Sequence, residues 1–207
     1  MLWIIPGILI SYLVGSIPTA YIFGYLLKGV DIRKHGSGNV GATNAMRVLG
    51  KIPGITVLAL DILKGFITVI LVTAFISRLT DALPVDAVSI LSGISCICGH
   101  NWTIFLKFKG GKGVATTLGV LIAFAVQIAG LRLVLGLAVL TWIVVFLVFR
   151  TVSLASILTA LAVPIYTLIF KLPTMIIVFT FILAFFILLR HAPNIRRLIS
   201  GKEPRLF

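Results

Sequence analysis

Two glycine-rich stretches carry cations and neutral hydrogen-bond donors at spacings that suit an oxyanion. The first, within residues 28–51, holds Gly36, Gly38 and Gly41 interleaved with Ser37, Asn39, Thr43 and Asn44, and Arg47 follows Ser37 by ten residues. Glycine lets backbone N–H groups converge on an anion at little steric cost. Ser, Thr and Asn add neutral donors, and the planar guanidinium of Arg47 is a fork matched to phosphate. A helix beginning near Ala42 would let Ser37 and Arg47 face one pocket. The plainer reading, a solvated connector, leaves so many small donors in order unexplained.

The second stretch, within residues 99–119, reads Lys107-Phe108-Lys109-Gly110-Gly111-Lys112-Gly113, with Thr116 and Thr117 where the next helix should begin. A cationic glycine loop feeding a helix N-terminus offers free amides and a favourable dipole to an anion. It is not a Walker A loop: Leu106 stands where that motif needs its first glycine, and Gly113 follows the lysine where Ser or Thr is required. Topology-setting charges would explain the lysines but not three glycines around Lys112.

A third polar stretch, residues 190–205, places His191, Asn194 and Arg197 at three-residue spacing. They share a face if the preceding helix runs past Pro193; alternatively Pro193 ends that helix near Arg190 and starts a new turn. His191 could act as a base, a donor or a structural cap. Glu203, the one glutamate, is expected to pair with a nearby cation. Asp61 and Lys64 lie three apart inside an apolar run, where ionisable groups are costly and are paired or face a polar cavity.

Other chemistries find little support. The three histidines and five carboxylates are scattered, with neither an HExxH motif nor a carboxylate cluster, so no metal and no cofactor is expected. The HxxxxD pattern of one large acyltransferase class is missing: Val40, Phe105 and Arg196 stand five positions after His35, His100 and His191. No convincing Ser-His-Asp order appears in the polar stretches. Cys96 and Cys98 are spaced for neither a CxxC redox pair nor a zinc half-site, and read as small buried filler.

The elements that must hold these residues are apolar. Of 207 residues, 60% are hydrophobic, and the mean hydropathy is +1.21. In lipid every backbone polar group needs an internal partner, and runs without apolar–polar alternation satisfy that need as helices. Seven spans are expected, at about 3–27, 53–77, 86–106, 113–131, 133–149, 152–170 and 174–190. No basic region precedes the first run, which argues for a retained helix and against a cleaved signal peptide. The chain is therefore predicted to be an all-α, polytopic integral membrane protein, folded as a single domain over residues 1–207.

Charge fixes the orientation. Lys28, Arg33, Lys34, Arg47, Lys51, Lys107, Lys109, Lys112, Arg150, Arg190, Arg196, Arg197, Lys202 and Arg205 fall on one face, against Arg78, Arg132 and Lys171 on the other. The positive-inside rule then puts the N-terminus outside, and the C-terminus and all three polar stretches in the cytoplasm. A net charge of +13 would suggest nucleic acid in a soluble protein. Placed in loops between spans, it points to anionic head groups or substrates and not to nucleic acid.

At these residues the chain resembles the bacterial acyl-phosphate:glycerol-3-phosphate acyltransferase family (PlsY). The likeness rests on GSGNVGATN followed by Arg47, on GHNWTIFLKFKGGKGVATTLG, and on HAPNIRRLISGKE, with DILKG (61–65) and TVSLASI (151–157) also similar. The resemblance implies acyl transfer from a fatty acyl phosphate to glycerol 3-phosphate, the first acylation of phospholipid biosynthesis. The products would be 1-acyl-glycerol 3-phosphate (lysophosphatidic acid) and phosphate, made at the cytoplasmic face of the bacterial inner membrane. It implies catalytic roles for Ser37, Arg47, Lys112, His191 and Asn194. Substrate-binding positions would be Gly36, Gly38, Asn39, Gly41, Thr43 and Asn44 in the first motif, and His100, Lys109, Gly110, Gly111 and Gly113 in the second. Ser156 in TVSLASI is a further one. The soluble enzyme that makes acyl phosphate is a candidate partner, beside membrane lipid.

The chemistry of the residues agrees with this. Both reactants carry phosphate, and an acyl phosphate is an activated mixed anhydride, so positioning and charge stabilisation can carry the reaction without a protein nucleophile. The rival reading is a carrier of organic phosphate or anionic lipid. Carriers commonly place their sites near the midplane, whereas here the polar groups crowd one face. A structural membrane subunit would leave the glycine loops unexplained.

Overall fold

A computed structural model describes residues 2–205. Among these residues the regular structure is entirely helical, as apolar runs in lipid require. The chain divides after Ala123 into two compact units.

The first unit begins with a span, Ile4–Lys28, made of two helices, α1 (Ile4–Ser16) and α2 (Thr19–Lys28). The sequence suggests one continuous helix there; the structure breaks it at Ile17 and Pro18. Pro18 carries no N–H for the ladder and disfavours helical backbone at the residue before it. A short helix, α3 (Ala42–Leu49), turns at Gly50 (φ +109°) into α4 (Lys51–Ile67). One π-turn, Thr68–Val72, then continues α4 into α5 (Thr73–Leu79), giving a span Lys51–Leu79. Next come α6 (Val85–Asn101), a 3₁₀ turn (Ile104–Leu106) and the start of α7 (Val114–Gln127).

Backbone-to-backbone packing holds this unit together, because lipid supplies no hydrophobic drive between helices and small residues permit close approach. A Cβ on Gly15 would overlap the Cys96 carbonyl, and one on Gly99 would overlap the Tyr12 carbonyl, so α1 and α6 touch along their backbones. The Ser95 hydroxyl crosses the same seam to donate to the Ile8 carbonyl at 2.7 Å. Helices α4 and α7 meet in the same way, Gly65 against Thr116 and Gly119 against Ile62. Ala20, Ile32, Val40, Ala45, Leu49, Val57 and Leu106 form a buried apolar cluster beneath the first glycine-rich stretch.

The second unit contains α8 (Ala129–Phe149), α9 (Val152–Ile169), α10 (Thr174–Arg190) and α11 (Ala192–Ile199). Left-handed residues make its turns, Arg150 (φ +55°) before α9 and Lys171 (φ +50°) before α10. Thr141 meets Tyr166 at 2.8 Å, and Thr167 meets Thr180 at 3.1 Å, each linking neighbouring helices. Leu133, Leu140, Leu147 and Phe185 lie exposed, as helices bathed in lipid require.

Among the described residues, five helical stretches are long and apolar enough to cross a membrane: Ile4–Lys28, Lys51–Leu79, Val85–Leu106, Ala129–Phe149 and Val152–Ile169. The pair α10 and α11, bent by 64°, makes a sixth if taken as one span. The remaining expected span, 113–131, corresponds to α7. Its 14 residues reach only about 21 Å at 1.5 Å per residue, short of a ~30 Å hydrocarbon core.

Candidate active site

The first motif is a loop tied up by one asparagine. Asp31 opens it: its carboxylate accepts from the Arg33 amide at 3.0 Å and from the guanidinium at 2.7 Å. The hydrogen-bonded Arg33 beside it draws the Asp31 carboxyl down to about 2. Gly36 (φ +60°) and Gly38 (φ +71°) take left-handed backbone that glycine adopts most easily. Asn44 sits within the loop, 1% exposed. Its amide NH₂ donates to the Ile32 and His35 carbonyls at 3.2 and 3.1 Å, and its Oδ1 accepts from the Ser37 amide at 2.8 Å. A side chain at Gly36 would overlap that same Oδ1.

Asn44 and Gly36, expected to hold substrate, thus shape the loop from inside. Ser37 is exposed on the loop and Arg47 on the helix that follows, and Asn39, Gly41 and Thr43 are half-buried. Helix α3 starts at Ala42, where the sequence suggests, and places Arg47 one turn beyond Asn44.

The second motif begins where α6 ends. The Trp102 carbonyl accepts from the Tyr12 hydroxyl at 2.6 Å, and the Thr103 hydroxyl donates to the Ser16 carbonyl at 2.6 Å. Lys107 (φ +54°) and Phe108 (φ +61°) then take two consecutive left-handed conformations. Such backbone is rare for bulky residues and concentrates at functional sites. The chain folds back so that Gly110 N–H donates to the Asn101 carbonyl at 3.2 Å and Gly111 N–H donates to the His100 carbonyl at 2.9 Å.

The amides of Gly110 and Gly111 thus satisfy carbonyls that the end of α6 leaves without helical partners. Their glycine identity comes from packing. A Cβ on Gly110 would overlap the His100 carbonyl, and one on Gly111 would overlap the His100 ring. A Cβ on Gly113 (φ +78°) would lie 2.7 Å from Asn101 Oδ1. Lys109 is exposed and Lys112 half-buried above this floor. The Gly113 carbonyl accepts from Thr117 N–H at 2.7 Å, opening α7, whose first-turn amides have no intrahelical partners.

Below both motifs lies a buried polar cluster. The Asp61 carboxylate meets Lys64 Nζ at 2.8 Å and accepts from the Thr19 hydroxyl. His100 Nδ1 stands 3.8 Å from it. Lys64 also donates to the Ile17 carbonyl at 3.0 Å, the group freed by the break at Pro18. Val40 of the first motif and His100, Thr103 and Gly111 of the second line one cavity of about 10 Å³, together with Lys64 and the segment Gly15, Ser16, Ile17, Pro18 and Thr19. The expected Asp61–Lys64 pair is present. Thr19 carries no motif signature, and Thr103 lies in the second motif without a role assigned from the sequence.

In the second unit the third motif bends at His191. Pro193 lies in the first turn of α11, so α10 ends at Arg190 and a new helix starts, the second of the two expected arrangements. His191 is 2% exposed, and its Nδ1 lies 2.8 Å from the Ile187 carbonyl. A carbonyl only accepts, so Nδ1 carries the proton. Asn194 Nδ2 and the Ser153 hydroxyl, at 2.7 Å, both donate to Glu203 Oε1, while Arg197 Nε donates to Oε2 at 2.7 Å.

Burial alone would raise the Glu203 carboxyl; the three donated hydrogen bonds outweigh it and hold the group below the ordinary carboxylate value. Arg197 is the cation that Glu203 was expected to find. Ser156 is buried, donates to the Val152 carbonyl at 2.9 Å and accepts from Trp142 Nε1 at 3.2 Å. Among the described residues no three His, Cys, Asp or Glu side chains gather where they could hold a metal ion.

Known proteins share this organisation. Residues 5–201 match the family model of glycerol-3-phosphate acyltransferase. Glycerol-3-phosphate acyltransferase 2 of Moorella thermoacetica is 44% identical over 99% of this chain and 98% of its own length. The Synechocystis enzyme is 45% identical over 96% of this chain and 89% of its own length. The crystal structure of PlsY, an integral membrane glycerol 3-phosphate acyltransferase, in its glycerol 3-phosphate form has a TM-score of 0.85 at 37% identity. It covers 98% of this chain and 94% of that one. The lysophosphatidic acid form gives a TM-score of 0.82 at 36% identity. The chain belongs to the glycerol-3-phosphate acyltransferase family.

Proposed function

We propose that this enzyme moves a fatty acyl group from acyl phosphate to glycerol 3-phosphate, at the cytoplasmic face of a bacterial inner membrane. The observation that carries the reading is the convergence of Val40 from the first motif and Gly111 from the second on one cavity. Ser37 and Arg47 belong to the first motif and Lys112 to the second, which supports a shared site in the first unit. Two anionic reactants need cations there, and these loops supply them in excess of acids.

Arg47 and Lys112 hold phosphate charge, with the first-turn amides of α7 behind Lys112. Ser37 donates a hydrogen bond to a reacting oxygen. The substrate hydroxyl attacks the acyl carbonyl carbon directly, so that a new ester C–O bond forms as the acyl–phosphate C–O bond breaks. The hydroxyl proton passes to an oxygen of the departing phosphate, and no acyl-enzyme forms. Asn194, held by Glu203, is a donor in the same reaction. His191, whose Nδ1 lies beside the Ile187 carbonyl, is the alternative proton acceptor. For these two and for Ser156 the family resemblance is the support.

Purified protein in detergent, given acyl phosphate and glycerol 3-phosphate, tests the reading. Phosphate release that needs both compounds supports it. Binding of glycerol 3-phosphate without turnover contradicts it and favours a carrier.

A further inference from the structure

The Asp61–Lys64 pair has no place in the chemistry above, yet both partners lie buried within the first unit. Asp61 is 1% exposed and Lys64 8%. Such a pair is weak as a source of stability, because the desolvation of both charges offsets their attraction. Its geometry instead ties together three elements.

Lys64 captures the Ile17 carbonyl at 3.0 Å, and Asp61 captures the Thr19 hydroxyl, one on each side of Pro18. The break in the first span is therefore fixed from α4. On the other side Asp61 stands 3.8 Å from His100 Nδ1, and the His100 ring occupies the space a side chain at Gly111 would need. The His100 carbonyl in turn accepts the Gly111 amide at 2.9 Å. Gly65, next to Lys64, presses on the Thr116 carbonyl of the first turn of α7. One turn of α4 thus sets the floor and the exit of the loop that bears Lys112.

We propose that Asp61 and Lys64, with Thr19, are positioning residues for the glycerol 3-phosphate site. They fix the His100 ring and the first turn of α7 against which the glycine loop rests, and they touch no reacting atom. The proposal rests on the reading above that this loop holds the glycerol 3-phosphate. A misplaced loop weakens capture of that substrate while leaving the acyl donor and the chemical step alone.

The test compares purified wild type with Asp61→Leu/Lys64→Met, which removes both charges so that neither is left buried alone. Thr19→Val removes one hydrogen bond at nearly constant volume. Steady-state kinetics should show KM for glycerol 3-phosphate raised about tenfold in the double variant and about threefold in Thr19→Val. Both kcat and KM for acyl phosphate should stay within about twofold of wild type. Wild-type KM for glycerol 3-phosphate in Thr19→Val, or in a double variant that folds, would overturn the proposal. So would equal losses for both substrates, which mark a general defect in folding.

Lys112→Ala, run alongside, separates the two levels. A raised glycerol 3-phosphate KM there with none in the Asp61, Lys64 and Thr19 variants removes the positioning role alone. An unchanged KM in Lys112→Ala removes the loop reading, and the positioning role with it.

Discussion

The imidazole of His100 occupies the volume that any side chain at Gly111 would require. The glycine loop is therefore cast against the end of α6, and its shape depends on His100 as much as on its own flexibility. Gly111→Ala should force the loop off this floor and raise KM for glycerol 3-phosphate at least about tenfold. Shortening the ring relieves the overlap, so His100→Ala/Gly111→Ala should lose less than the two single losses added together. Strict additivity in kcat/KM would contradict the packing account.

Lys112 rises from that floor at the entry to α7. Lys112→Ala should cost glycerol 3-phosphate binding about 1–3 kcal/mol, as expected for one charged hydrogen bond to phosphate. The melting temperature should hardly change, since the residue is half-buried at a loop. Unchanged steady-state kinetics would remove Lys112 from the site.

Ser37 is exposed on a loop whose backbone is held by Asn44. Direct transfer requires that it never carry the acyl group. Labelled acyl phosphate, with glycerol 3-phosphate withheld, should leave the protein unlabelled after denaturation. A stable ester on Ser37 would replace direct attack with a two-step mechanism.

Glu203 gathers Ser153, Asn194 and Arg197, and these bonds hold its carboxyl low in the folded protein. A depressed folded-state value contributes stability above the unfolded carboxyl value, about 4.3, and loses it as pH falls through the folded value. Melting temperature should therefore drop on acidification below about pH 4. Glu203→Gln should start lower at neutral pH and show a flatter acid slope. An acid slope identical to wild type would contradict the role given to these three bonds.

Much of this was legible in the chain because it rests on local rules. The apolar runs predicted helices, Ala42 suggested the start of α3, the restart at Pro193 was one of two arrangements the sequence left open, and a mutual pair was one of two readings of Asp61 and Lys64. Less legible was anything that depends on which groups pack. Asn44 stands where a side chain at Gly36 would go, and His100 stands where one at Gly110 or Gly111 would go. The amides of Gly110 and Gly111 serve the end of α6, a pairing that no local pattern predicts. The break at Pro18 was not expected in a span read as continuous, and nothing in its neighbourhood announced that Lys64 and Thr19 would meet there. Propensity and hydropathy are properties of a segment. The partners of a freed carbonyl such as that of Ile17 belong to the folded whole.

The identity of the acyl donor tests the account most directly. Purified protein should convert glycerol 3-phosphate with acyl phosphate, releasing one phosphate for each lysophosphatidic acid formed, and should be inert with the same chain presented as acyl-CoA or on acyl carrier protein. Turnover with a thioester donor and none with acyl phosphate would contradict it.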